Sequence, residues 1–273
     1  MKLKWDGHTH SQLCRHGSGE KTEELIKKAI DLGFQQYSIT EHAPVSEKII
    51  KDQALLAEYA LFENEMEAYF SLVDNLKNKF QGQISILCGL EIDFFIGHEE
   101  FTNEIIKKYS DHLEDIIISL HFIEGKGGLR CIDWSPDDFR DGLLDHYKSL
   151  NEIHHAYWKT FKKMIDTDIE TDINIRIGHP GLIYKFKNHF PIIQNDSDLI
   201  KELDETFKLI HLKKYEIDFN IAGARNKIGE TGYLTKPLRF LCSKYQIPLV
   251  YGSDSHSLKN IGNHYLAFEK SNN

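Results

Sequence analysis

Seven short apolar runs recur along this chain of 273 residues, and stretches with helical periodicity separate them. Runs of this kind are typical of buried strands, and helix-length connections between them require neighbouring strands to be parallel. The runs cover residues 2–5, 36–40, 84–90, 115–120, 173–177, 215–220 and 248–251. The alternation predicts an α/β fold, either a doubly wound open sheet or a closed barrel. Neither GxGxxG nor GxxxxGK[ST] follows any run, so a nucleotide-binding open sheet lacks its usual support.

Start and stop signals divide the segments between these runs into helices. Thr22 is predicted to cap a first helix that stops at Gly33, and Ser135 to cap a helix that begins at Pro136. Apolar residues recur at steps of three and four over residues 55–80. This spacing predicts one long amphipathic helix whose aromatic side chains belong to the core.

Composition argues against several classes of protein. The formal net charge is −9 and no basic stripe is present, which argues against sequence-independent binding to nucleic acid or to a membrane surface. No apolar run is long enough to span a membrane, and the N-terminus lacks the apolar core of a signal peptide. The four cysteines lie far apart without a CxxC pair, so neither a disulfide framework nor a thiolate zinc site is expected. A cytoplasmic location fits these features.

Histidine ends five of the seven predicted strands, and Glu91 ends a sixth. In a parallel barrel these ends lie on one face, where the active site is built, so the side chains are expected to converge. Imidazole and carboxylate without thiolate suit Zn²⁺, Mn²⁺ or Fe²⁺, and packing such groups without a metal would bury a costly polar cluster. The predicted ligands, including one histidine in the loop after the first strand, are His8, His10, His16, His42, Glu91, His121, His179, Asp254 and His256.

Other ionisable groups are interpreted differently. Asp6 and Glu41 stand beside predicted ligands, and they either orient imidazole rings or are solvated acids at strand ends. The remaining eight histidines fall mostly in predicted helices or loops, and we interpret them as surface residues. They are His98, His112, His146, His154, His155, His189, His211 and His264.

The ordered series HTH, TEH, GLE, SLH, GHP and GSDSH, over residues 6–262, resembles the PHP (polymerase and histidinol phosphatase) domain. The resemblance implies a distorted (β/α)₇ TIM-like barrel that forms one domain over residues 1–273, with residues 135–172 as a lid insertion. It also implies up to three divalent metal ions, Zn²⁺, Mn²⁺ or Fe²⁺. The implied ligands are His8, His10, Glu91 and Asp254 for the first ion, Glu91, His121 and His179 for the second, and His16, His42 and His256 for the third.

Three stretches resemble the histidinol-phosphate phosphatases within that family: SLHF at 119–122, GHPGLIYKF at 178–186 and NIAGAR at 220–225. The implied activity is hydrolysis of L-histidinol phosphate to L-histidinol and phosphate, a step of histidine biosynthesis. One alternative is a PHP phosphoesterase that acts on nucleotides, oligonucleotides or phosphotyrosine. Another is a metal-binding module without turnover, which would be expected to lose ligands, and this sequence lacks none.

Charge balance supports phosphate chemistry at such a site. Three divalent ions would bring more positive charge than Glu91 and Asp254 neutralise, which favours a hydroxide and a phosphate dianion. The expected mechanism is attack on phosphorus by a metal-bridging hydroxide, with Asp254 or His256 as the group nearest to the leaving oxygen. Arg225 follows the one strand that offers no ligand, and it is expected either to clamp the phosphoryl group or to be an ordinary surface arginine.

Overall fold

Seven parallel strands form one sheet in the computed structural model, which describes residues 3–191 and 196–272. Every two neighbouring strands of this sheet are parallel, as the helix-length connections predicted. Every predicted run overlaps one strand, and Lys2, at the start of the first run, lies outside the described residues. In spatial order the strands are β1 (Trp5–Asp6), β2 (Gln36–His42), β3 (Ser85–Asp93), β4 (Asp115–Ser119), β7 (Ile175–Ile177), β8 (Glu216–Asn220) and β9 (Leu249–Gly252).

The two edge strands of this sheet meet and close it into a barrel. Beyond β1 and β9 the two chains continue side by side, and Thr9 and Ser255 form a parallel bridge. The Asp254 amide donates to the His8 carbonyl at 2.8 Å, and the His10 amide donates to the Ser255 carbonyl at 3.0 Å. The short β1 and these irregular bonds make the barrel distorted, which confirms the predicted seven-stranded architecture.

Helices connect successive strands. Their amphipathic faces explain the packing: α1, for example, buries Leu25, Ile26 and Ala29 and ends before Gly33, whose φ of +78° suits glycine. None of the described helices is both long and apolar enough to cross a membrane. The α-helices in the described ranges are α1 (Thr22–Asp31), α2 (Gln53–Tyr59), α3 (Met66–Lys79), α4 (Phe101–Tyr109), α5 (Pro136–Asp138), α6 (Asp145–Tyr147), α7 (Leu150–Asp166), α8 (Ser197–Leu212), α9 (Ala222–Arg225), α10 (Lys236–Lys244) and α11 (Tyr265–Ser271).

The predicted single helix over residues 55–80 is wrong, because the chain breaks between α2 and α3. Ala60 and Phe62 have extended backbone angles, and a single 3-10 turn follows at Glu63–Glu65. The Glu65 carboxylate accepts a hydrogen bond from the Phe62 amide at 2.8 Å, and His16 Nδ1 lies 3.1 Å from the Glu58 carbonyl. In a continuous helix, the Phe62 amide and the Glu58 carbonyl would bond to each other. Side chains therefore satisfy both groups at the break.

Two predicted helix starts have different outcomes. Ser135 caps α5 as expected, since its hydroxyl accepts from the Asp138 amide at 3.0 Å. Thr22 is not the cap of α1: that position belongs to Lys21, and the buried Thr22 hydroxyl accepts from the Gln12 amide at 2.9 Å. Thr22 therefore holds the loop that carries the first predicted ligands.

An antiparallel hairpin that the sequence did not predict follows β4. It consists of β5 (Phe122–Gly125) and β6 (Gly128–Cys131), and Gly127 and Gly128 supply the positive φ angles of its turn. Within residues 135–172, α7 packs against α8 and provides the crossover to β7. That this segment acts as a lid stays a prediction, and so does the assignment of the whole chain to a single domain.

A buried ion pair fills the barrel interior beneath the strand ends. Both terminal nitrogens of Arg176 donate to the Asp115 carboxylate, at 2.8 and 2.7 Å, and the guanidinium lies 4.6 Å from the Trp5 ring. Neither charged side chain is exposed by more than 3%. A buried arginine whose terminal nitrogens are bound in this way joins the interior of the barrel and is not free to bind a substrate.

Candidate metal centre

The strand ends place the predicted ligands around Glu91. Its Oε2 lies 3.2 Å from His8 Nε2 and 3.3 Å from His42 Nδ1, while its Oε1 lies 2.8 Å from His179 Nε2 and 3.7 Å from His121 Nε2. All five side chains are buried. They belong to five different strands or strand ends, which explains how residues distant in sequence converge here.

Two of the three predicted ligand sets recur as groups whose donor atoms lie within 4.8 Å of one another. One group consists of His8, His10 and Glu91, and the other of Glu91, His121 and His179. Asp254 Oδ1, the remaining member of the first predicted set, lies 3.4 Å from His10 Nε2 and 4.0 Å from His8 Nε2.

The third predicted set, His16, His42 and His256, is split between two groups that share His256. His256 lies with His10 and His42 in one group, and with Cys14 and His16 in the other. The Nε2 atoms of His16 and His256 are 3.1 Å apart. These two histidines are also the most exposed of the predicted ligands, so this part of the centre is the outer one.

Unpartnered nitrogens show that these residues fit a metal ion. Both ring nitrogens of His10 are buried without a hydrogen-bond partner, and so is Nδ1 of His42. Leaving a buried polar atom unpaired costs on the order of 1–3 kcal/mol. Coordination of a cation by these nitrogens would remove that cost, and imidazole with carboxylate is a donor set that suits divalent ions.

The carboxylates give the centre a field that favours positive charge. Burial opposes protonation of His8, but the charges of Glu91, Asp218 and Asp254 outweigh it and raise the pKa of this imidazole to about 10. The pKa of His121 is likewise raised to about 9, against the effect of burial, chiefly by Asp93. The same interactions, led by His8, hold the pKa of Glu91 well below its usual range in spite of its burial. A divalent cation would replace these protons.

Hydrogen bonds from outer residues orient the imidazoles. Asp218 Oδ2 lies 2.7 Å from His8 Nδ1, and Asp93 Oδ1 lies 2.8 Å from His121 Nδ1. The Tyr59 hydroxyl donates to Asp93 Oδ2 at 2.6 Å. In each case the bonded Nδ1 leaves Nε2 facing the centre, as metal-binding histidines require. Tyr59, which the sequence assigned to the core, is therefore part of the site.

Asp93 and Asp218 were missed by the sequence analysis, although a signal was present for Asp93. Asp93 is two residues after Glu91 on β3. Residues two apart on a strand point to the same face, so an acid two positions from a ligand is a candidate to support it. Asp218 lies on β8, which carries no predicted ligand, so the sequence offered no such signal for it.

Asp6 and Glu41 are both buried and not solvated acids. Glu41 Oε2 lies 3.6 Å from His10 Nδ1, close to the predicted orienting position. Asp6 instead accepts from the Ser253 amide at 2.9 Å, which joins β1 to β9. Burial raises the pKa of Asp6 to about 7.

A buried thiol, which the sequence analysis did not place here, also borders the centre. Cys14 is 7% exposed, and its Sγ belongs to the groups that contain His10 and His16. Burial and the Glu41 charge raise the pKa of this thiol, but the neighbouring imidazoles of His10, His16 and His256 outweigh them and lower it to about 5.

A cavity of about 390 Å³ opens above the centre. On one wall, Lys185 Nζ donates to Asp133 Oδ2 at 2.9 Å, beside Trp134. On another, Arg225 donates to the carbonyls of Ser253 and Asp254 at 2.8 and 3.0 Å. Arg225 thus lines the cavity and holds the backbone that carries a predicted ligand, and its role as a phosphoryl clamp stays a prediction.

The surface interpretation of the other eight histidines holds except for His154. This residue is 4% exposed on the inner face of α7, where its ring packs edge-on against Tyr184. The apolar spacing of α7 runs through Ile153, Tyr157 and Phe161, and His154 lies on the same buried face. Five of the others are exposed and two are partly exposed.

Comparison of the sequence with known protein families shows which family the chain belongs to. The PHP domain model matches residues 6–222, and the PHP-associated model matches residues 238–273. The chain belongs to the PHP family. A histidinol-phosphatase from Bacillus subtilis is 29% identical over 266 residues, which cover 97% of this chain and 98% of the relative.

Two solved structures show the same fold. A structure from Listeria monocytogenes, described as a candidate histidinol phosphatase, is 34% identical with a TM-score of 0.91, and the match covers 97% of this chain and 100% of that one. A histidinol phosphate phosphatase from Lactococcus lactis, determined with zinc, L-histidinol and phosphate, is 17% identical with a TM-score of 0.67, over 98% and 94% of the two chains.

Proposed function

We propose that this PHP protein is a metal-dependent phosphomonoesterase that hydrolyses L-histidinol phosphate to L-histidinol and phosphate. The observation that carries the proposal is the arrangement of a full set of histidine and carboxylate donors around Glu91, at the floor of a cavity of about 390 Å³. The histidinol-phosphatase from Bacillus subtilis matches nearly the whole chain, which supports this substrate over other phosphomonoesters.

The donors suit up to three divalent ions, Zn²⁺, Mn²⁺ or Fe²⁺. His8, His10, Glu91 and Asp254 would hold the first, Glu91, His121 and His179 the second, and His16, His42 and His256 the third. When bound, such ions supply Lewis acidity toward the phosphoryl oxygens and lower the pKa of water at neutral pH. Zinc in the Lactococcus lactis protein of the same fold is consistent with this loading.

Residues of the chain itself bind and orient the substrate. Arg225 uses two N–H groups on backbone carbonyls, and its remaining N–H groups are available to a phosphoryl oxygen in the cavity. Asp254 and His256 line the same cavity, and one of them donates the proton that the leaving alkoxide needs.

The Lys185–Asp133 pair matches the charge pattern of the substrate. L-Histidinol phosphate carries an anionic phosphate at one end and an ammonium and imidazole at the other. Lys185 offers a positive group and Asp133 a negative one on the same wall, and Trp134 adds an aromatic surface beside them. A dipolar wall of this kind favours a dipolar ligand over a plain anion.

The single barrel and the small-molecule substrate are parts of the same proposal. Asp254 and His256 lie in the segment matched by the PHP-associated model, while the other proposed ligands lie in the PHP segment. The pairing of β9 with β8 supports one domain over residues 1–273, with residues 135–172 as its proposed lid. A net charge of −9 without a basic cluster supports an enzyme that does not bind nucleic acid or membranes. The four free cysteines fit the proposed cytoplasmic location.

A substrate screen tests the proposed function. Protein loaded with Zn²⁺ or Mn²⁺ is assayed with L-histidinol phosphate, a nucleoside monophosphate, phosphotyrosine and a single-stranded oligonucleotide. We expect kcat/KM for L-histidinol phosphate to exceed the others by at least about 100-fold. A preference for any other compound would replace the substrate, and a fully loaded, folded protein without phosphatase activity would refute the proposal.

A further inference from the structure

We infer that the Cys14 thiolate, with His16 and His256, is a ligand of the ion at the outer position of the metal centre, and that it biases this position toward zinc. The inference rests on the metal loading of the proposed function and extends its donor set by one residue. No family motif quoted above includes Cys14.

The geometry brings Cys14 to the outer position. Its Sγ and one ring nitrogen from each of His16 and His256 lie within 4.8 Å of one another. Two turns fix the loop that carries it, since the Cys14 amide donates to the Ser11 carbonyl at 3.2 Å and the Gly17 amide donates to the Cys14 carbonyl at 3.1 Å. Donors held this close by backbone bonds need little rearrangement to share one ion.

A second observation points to a ligand at this place. His10 is fully buried, neither of its ring nitrogens has a hydrogen-bond partner, and its donor atom also lies within 4.8 Å of Cys14 Sγ. A buried cysteine that serves only as a small apolar residue is surrounded by apolar side chains. Cys14 instead lies among imidazoles that need a partner.

The other cysteines provide the contrast. Cys88, Cys131 and Cys242 are also buried and free, and none of them belongs to a group of possible metal ligands in the described part of the chain. Cys242, for example, lies on the helix α10 and not at a strand end. Burial alone therefore does not distinguish Cys14, but its neighbours do.

Ligand softness gives the expected selectivity. A thiolate favours Zn²⁺ over the harder Mn²⁺, and Cys14 beside His16, His42 and His256 would give one sulfur and three nitrogen donors, a set that suits zinc. On binding, the thiol loses its proton to solvent, so that the ligand atom is the sulfur anion. The two inner positions keep only nitrogen and oxygen donors and accept either metal.

Cobalt spectroscopy tests the sulfur ligand without reference to turnover. The metal-free full chain is titrated with Co²⁺, because a thiolate bound to Co²⁺ gives a charge-transfer band in the near ultraviolet that nitrogen and oxygen ligands do not give. We expect the wild type to show the band. Cys14→Ser should lose the band and about one equivalent of bound Co²⁺, while the matched control Cys242→Ser should keep both. In Zn²⁺/Mn²⁺ competition, Cys14→Ser should lose about tenfold in zinc preference.

Each outcome decides the inference. A wild-type protein fully loaded with Co²⁺ but without the band would overturn it, and this result does not depend on whether the variant folds. A folded Cys14→Ser, checked by circular dichroism, that keeps the band would also overturn it. A protein that shows the band but does not hydrolyse L-histidinol phosphate would refute the proposed function and leave the inference intact.

Discussion

Glu91 is the residue on which the site depends most, because its two oxygens face different groups of imidazoles. Oε2 lies nearest His8, and Oε1 lies nearest His179. The Ser119 hydroxyl donates to Oε1 at 2.6 Å and fixes the carboxylate in this orientation. One side chain thus joins the two inner ligand groups, so that its charge acts on both.

The substitution Glu91→Gln should lower activity and metal content together. It keeps the size of the side chain but removes the charge and one acceptor oxygen that both inner positions share. We expect kcat to fall by more than about 100-fold and about two equivalents of metal to be lost, measured by elemental analysis beside the phosphatase assay. The matched control Glu67→Gln, at an exposed position of α3, should change neither quantity. Full metal content in Glu91→Gln would mean that this residue does not bridge the two positions.

At the scale of elements, the sequence predicted the strands well and the connections less well. Apolar runs mark buried strands, and each ligand at a strand end could be placed because parallel strands present their ends on one face. The break between α2 and α3 could not be predicted, because apolar spacing continues through it from Tyr59 to Met66. The bond between His16 and the Glu58 carbonyl, which joins the break to the site, depends on the tertiary fold.

Apolar spacing in the sequence also determined which residues of the site could be predicted. His8, His42 and His179 each stand at the end of an apolar run, so the sequence alone marks them. Cys14 and Tyr59 lie in a loop and at a helix end, where no periodicity predicts the direction of the side chain. The barrel brings them to the centre, and only the closed structure shows it.

The loop after β6 should set the substrate preference, since it carries Asp133. In Asp133→Asn the ion pair with Lys185 is lost, and the substrate's cationic end loses its proposed partner. We expect KM for L-histidinol phosphate to rise by about tenfold or more, and KM for p-nitrophenyl phosphate, which has no cation, to change by less than about twofold. For contrast, Arg225→Ala on α9 should reduce kcat/KM for both substrates equally, by an amount equivalent to about 2–4 kcal/mol. Equal effects of Asp133→Asn on the two substrates would argue against this assignment.

At the scale of the whole molecule, ionisable groups are buried in two distinct ways. Ionisable side chains at the barrel mouth lie beside groups of opposite charge, as His8 does beside Glu91 and Lys185 beside Asp133. In the interior below, Arg176 is paired with Asp115 in the same way. His154 lies outside the barrel between α7 and Tyr184, and no acid lies among the contacts that shift it. Burial, together with the nearby charge of His155, lowers the pKa of His154 to about 4. A neutral imidazole is therefore part of the folded state.

His154 should make the folded protein less stable in acid, and His154→Leu should remove that part of the pH dependence. The unfolded chain binds a proton near the ordinary pKa of 6.5, while the folded chain resists it until about pH 4. Since the unfolded state binds more protons between these values, the free energy of unfolding falls as pH decreases through this window, by up to about 3 kcal/mol from this residue. Urea unfolding of metal-free protein at pH 7 and pH 4 should show that much less loss in His154→Leu than in the wild type. His211→Leu, at an exposed position of α8, should keep the wild-type loss. If His154→Leu loses as much stability as the wild type over this window, His154 is protonated in the fold or the acid sensitivity lies in other groups.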